Sequence, residues 1–86
     1  MASNASQEAY EGMIAALTKF QNGIQESCTS MKSAVDDCIE NMNQDAHAVE
    51  RTGEISQAIS RLQAIAEEAA DLAQKIQREW ETIVSA

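Results

Sequence analysis

The stretch Ile55-Ser56-Gln57-Ala58-Ile59-Ser60-Arg61-Leu62-Gln63-Ala64-Ile65-Ala66-Glu67-Glu68-Ala69-Ala70-Asp71-Leu72-Ala73-Gln74-Lys75-Ile76-Gln77-Arg78-Glu79-Trp80-Glu81-Thr82-Ile83 decides the fold class. Ile55, Ile59, Leu62, Ala66, Ala69, Ala73, Ile76, Trp80 and Ile83 recur in alternating steps of four and three, an unbroken heptad seam. That spacing gathers side chains on one face of an α-helix, whereas a half-buried strand alternates with period two. Ile65 and Leu72 widen the stripe on one flank. A wide stripe belongs to a helix with more than one neighbour, as in a bundle. The central alanines let another helix come close, or leave room for Met31, Met42 or Phe20.

Upstream, Met13, Leu17, Phe20, Ile24, Cys28, Met31, Val35, Cys38, Met42, Ala46 and Val49 recur at steps of three and four with a mean of 3.6. This is a second amphipathic helix. It begins after a polar, fraying start at 1–6, with Ser6 as N-cap and Glu8 in the first turn, where the helix dipole favours an anion. Asn22-Gly23 is a turn signal inside this helix. Phe20 and Ile24 keep phase across it, so the helix is read as continuous. Thr52-Gly53 is read as the break, because glycine accepts the left-handed conformation that ends helices and Arg51 suits the last turn. The expected organisation is a single domain, 1–86, with a helix over about 7–51, a turn at 52–53 and a helix over about 54–85. So short a connection makes the helices antiparallel, with the longer first helix overhanging at its N-terminal end. The fold class is all-α: an antiparallel two-helix hairpin, completed to a four-helix bundle by dimerisation or by a partner.

Composition agrees with that class. Among 86 residues there are no prolines, three glycines and one each of Trp, Tyr and Phe, which disfavours β architectures. A chain this short buries only about 60–65% of its unfolded surface and does not easily enclose a deep active site. The net charge of −8 disfavours nucleic acid and anionic membrane surfaces as partners, since both require a basic stripe. No stretch approaches the roughly 20 apolar residues of a membrane span. Met1-Ala2-Ser3-Asn4-Ala5-Ser6 lacks the basic and apolar regions of a Sec signal. The expected location is the cytoplasm as made, with any export by a signal-independent route.

Chemistry-bearing groups are sparse. His47 has no Glu-x-x-His context, and Cys28, Cys38 and His47 lack zinc-site spacing, so no metal is expected. The i,i+4 pairs Asp36 with Glu40 and Glu67 with Asp71 read as a solvated helix face. Cys28 and Cys38 lie on the apolar stripe, where a thiol stays protonated and inert. Ten residues of helix hold them about 15 Å apart, beyond the reach of a mutual disulfide. An intermolecular bridge is the alternative to free thiols. Phosphate loops and dinucleotide fingerprints are absent. No enzymatic activity, cofactor or small-molecule substrate is expected. Met13, Met31 and Met42 read either as core filler or as an adaptable recognition surface. Trp80 reads either as an interface anchor or as the plug at the open end of the hairpin.

A small acidic helical hairpin without a cleavable signal resembles the WXG100 or ESAT-6-like proteins of type VII secretion systems. In this chain Arg51-Thr52-Gly53 keeps the turn glycine of the family's Trp-x-Gly motif but not its tryptophan. Trp80 is followed four residues on by Val84, where the family's export motif has an acid after its tyrosine. The resemblance implies a homo- or heterodimeric four-helix bundle, and a role as substrate or as partner and chaperone of a larger secreted protein. The alternative is a cytosolic or virion structural coiled-coil adaptor forming a homodimer. Both assign function to helix–helix association with a helical partner or a second copy. The residues expected to carry it are Phe20, Ile24, Met31, Val35 and Met42 on the first helix, and Ile59, Leu62, Ile65, Leu72, Ile76 and Trp80 on the second.

Overall fold

The computed structural model describes residues 4–42 and 45–85. Two helices, α1 (Asn4–Met42) and α2 (Ala46–Ser85), pack along their whole length as an antiparallel hairpin. The rod measures 64 × 15 × 13 Å, and its radius of gyration is 19.1 Å. A compact domain of this length has a radius of gyration of about 12 Å.

The seam of α1 is Tyr10, Ile14, Leu17, Gln21, Ile24, Cys28, Met31, Val35 and Cys38, all buried or half-buried. The seam of α2 is Ala48, Thr52, Ile55, Ile59, Leu62, Ala66, Ala69, Ala73, Ile76 and Trp80. Both alternate steps of four and three, so each helix turns the same stripe to its neighbour along its length. The best-packed region is the middle, where Ile24, Cys28 and Ala66 are buried with Met31, Ile59 and Leu62 against them. The Cys28 thiol donates to the Ile59 carbonyl at 4.0 Å. Cys28 and Cys38 are both free thiols on α1. At the open end the Tyr10 and Trp80 rings stack with centroids 5.2 Å apart.

The turn is not at Thr52-Gly53, and the expected helices over about 7–51 and 54–85 are corrected to Asn4–Met42 and Ala46–Ser85. Asp45 supplies the start signal. Its carboxylate accepts from the Ala48 backbone N–H at 2.9 Å, and its carbonyl accepts from Val49 N–H at 3.0 Å. An aspartate in that position satisfies an otherwise unpaired amide and complements the helix dipole. Thr52 instead lies buried in the seam, with its hydroxyl donating to the Val49 carbonyl at 3.0 Å. Gly53 is helical with no positive φ. A mid-helix glycine costs about 1 kcal/mol relative to alanine, a penalty that seam packing on both sides of it outweighs.

The expected N-terminal overhang of the first helix is absent. Helices of 39 and 40 residues match in length. Tyr10 and Ile14 thereby find partners that a turn eight residues later would deny them. The N-terminal reading changes as well: Ser6, expected to cap, is a half-buried position inside α1. Asn4 and Ala5, expected to fray, are helical residues of α1, and Met1–Ser3 lie outside the described residues. Asn22-Gly23 does not interrupt α1.

Candidate interaction surface

The seam leaves two flanks, one on each side of the plane containing both helices. Residues three positions after Tyr10, Leu17, Met31 and their equivalents on α2 share one flank, because the helices are antiparallel. On this flank α1 presents Met13, Phe20, Ser27 and Ala34, and α2 presents Ala58, Ile65 and Leu72. Phe20 is 50% exposed, Leu72 47%, Met13 45% and Ile65 42%. Four large apolar side chains therefore share one flank without a cover. The opposite flank carries Thr18, Gln25 and Lys32 on α1 against Ser56, Gln63 and Gln77 on α2. An open groove there is lined by Gln21, Gln25, Lys32, Gln63 and Glu67 over the Ile24–Cys28 core. Large apolar side chains are exposed on this flank toward both ends: at the turn Ile39, Met42 and Val49 surround a notch of about 180 Å³, and at the open end Val84 follows Gln77 in the same row.

The residues expected to mediate association divide between seam and surface. Ile24, Met31, Val35, Ile59, Leu62, Ile76 and Trp80 lie in the seam between α1 and α2. Phe20, Ile65 and Leu72 stand on the apolar flank, and Met42 at the turn is 53% exposed. Trp80 is half-buried and stacked on Tyr10, the arrangement of a plug. Tyr10, Ile14, Gln21, Ala48 and Thr52 are seam residues missing from the expected stripes. Gln21 is polar, so the neighbouring Phe20 took its place in the periodic reading. Two signals could have found the seam: the heptad connecting Ile14 to Cys28 through Gln21, and Asp45 as a helix start.

Among the described residues, no three His, Cys, Asp or Glu side chains converge as a metal site would require. No described helix is long and apolar enough to cross a membrane. The Arg51 guanidinium pairs with Glu54 and reaches Glu50 at 3.8 Å, all on the exposed surface of α2. Surface pairs of this kind add little to stability. No protein-family model, curated protein or solved structure matches this chain.

Proposed function

We propose that this protein is a non-enzymatic helical-hairpin interaction module that completes a four-helix bundle with another helical surface through its apolar flank. The supporting observation is surface area. The chain exposes 6383 Å². A folded monomer of its mass exposes about 5,000 Å². The excess of about 1,400 Å² is within the range one partner contributes to a stable interface. Met13, Phe20, Ile65 and Leu72 lie where that cover would sit.

The cellular setting we propose is type VII secretion, as a WXG100-like substrate or as partner of a larger secreted protein. Chain size, acidity and the matched hairpin support it; Gly53, inside α2, does not serve as a turn glycine. Tracing the protein in culture medium, with and without the motor ATPase of such a system, tests this setting. Retention in both cases would remove it.

The association itself is tested by light scattering on wild type and on Phe20→Lys/Leu72→Lys, with helicity followed by circular dichroism. Wild type should associate and the variant should not, at equal helicity. A wild type that stays monomeric and well folded at every concentration, alone and with candidate helical partners, would overturn the reading.

A further inference from the structure

We infer that the occupant of the apolar flank is a second copy of this chain, related by a two-fold axis that crosses the rod near Ile65 and Gly23. This rests on the bundle reading above and adds the identity and register of the partner. The axis is transverse to the helices, so α2 lies antiparallel on α2 of the copy and α1 on α1.

The charge pattern of α2 carries the inference. Outside the row of Ala58, Ile65 and Leu72, at one residue per heptad, stand Glu54, Arg61, Glu68 and Lys75. All four are exposed, and their signs alternate. Reversed about a point beside Ile65, the series matches itself with opposite sign. Glu54 meets Lys75 of the copy, and Arg61 meets Glu68. In the inner row the same reversal sets Ile65 against itself, Ala58 against Leu72, and Arg51 against Glu79. Self-complementarity about one point is what an isologous interface requires. Complementary charge at the rim fixes register more than it adds affinity.

A neighbouring height on α1 gives the same answer. Ile24 and Ala66 share the central core cluster, and because the helices are antiparallel Gly23 and Ile65 sit one residue to either side of that level, about 3 Å apart along the rod. Reversing α1 about a point between Gly23 and Ile24 sets Phe20 against Ser27 and Met13 against Ala34, each large side chain against a small one. An added Cβ at Gly23 would meet nothing within 4 Å in the single hairpin, so that surface is open to another helix. A two-fold axis parallel to the rod would instead lay α1 of the copy on α2. Arg61 and Lys75 would then face a row of Ala9, Ala16, Gly23 and Ser30, which offers them no carboxylate. Covering the excess on both copies buries about 2,800 Å², within the span of obligate homodimers.

The experiment is a charge-swap pair measured by sedimentation equilibrium on the full chain. Arg61→Glu sets a carboxylate against Glu68 at two places in the dimer, and Glu68→Arg sets a second guanidinium against Arg61. Each alone should weaken self-association roughly tenfold or more. An equimolar mixture of the two should regain wild-type affinity, because in the mixed dimer one contact pairs the two introduced side chains and the other pairs the two original ones. Both contacts are then opposite in sign. Both positions are exposed and outside the seam, so helicity should not change. Ile65→Arg, which sets two cations together on the axis, should give a helical monomer. A wild-type dimer indifferent to the swaps and the mixture would overturn this register and leave the interaction module standing. A wild-type monomer that instead forms a complex with a different helical protein through Phe20 and Leu72 would overturn the second copy alone. A helical monomer with no partner would overturn both.

Discussion

The two flanks of the hairpin border the same seam along the same length, yet they differ in chemistry. One sets Met13 and Phe20 beside Ile65 and Leu72; the other sets Gln25 and Lys32 beside Gln63 and Gln77. Glutamine and lysine at seam-flanking positions are compatible with water and shield the core with their aliphatic stems. Exposed phenylalanine and leucine gain nothing from water and gain about 25 cal/mol per Å² when covered. The difference between the flanks is one of exposed apolar surface, and the proposed association rests on it.

The largest perturbation should strike what the two flanks share. Leu62→Asp places a carboxylate against the central core and should cost about 3–5 kcal/mol, enough to unfold a hairpin this thin. An unchanged circular-dichroism melt would show that the seam is assigned wrongly. Next comes the contrast itself. Phe20→Lys/Leu72→Lys should remove association while Gln25→Lys/Gln63→Lys on the opposite flank should preserve it, both read by light scattering. Equal loss from both would erase the distinction between the flanks.

Smaller effects test the frame that places them. Asp45→Ala should lower stability by about 1 kcal/mol through loss of the α2 cap. A domain of this size would then melt roughly 4–8 °C lower. Gly53→Ala should raise stability by up to about 1 kcal/mol, because its Cβ would meet open space in a helix of ordinary φ. A fall in melting temperature would instead argue for a left-handed turn there and a different pair of flanks. The smallest effect is expected from Gln63→Ala, within about 0.5 kcal/mol.

The helical class and the α2 seam were legible because residues 55–80 repeat without a polar interruption. The α1 seam was only half legible. Gln21 is a polar member of an apolar row, and the larger Phe20 beside it gave the wrong face its weight. The turn was misplaced because Gly53 is a strong local signal, while Asp45 is one carboxylate among the 14 acidic residues of the chain. Propensity describes one residue at a time; the pairing of two equal helices is a property of the whole chain, and here it prevails. Which flank lacks a cover became readable only once the corrected register put Phe20 and Ile65 on the same side.

The Tyr10–Trp80 stack has a kinetic meaning. A hairpin of consecutive layers closes like a zipper, because each layer next to one already formed closes only a short loop, whereas the layer at the open end closes nearly the whole chain. On loop-closure entropy alone, pairing is expected to start beside Asp45 and the two aromatic rings to meet last. On warming they are then expected to part first, by fraying rather than by global melting. The only tryptophan in the sequence thus sits at the final tooth of the zipper. Its emission should change at temperatures where far-ultraviolet ellipticity has hardly moved, reporting the end of the rod separately from its middle.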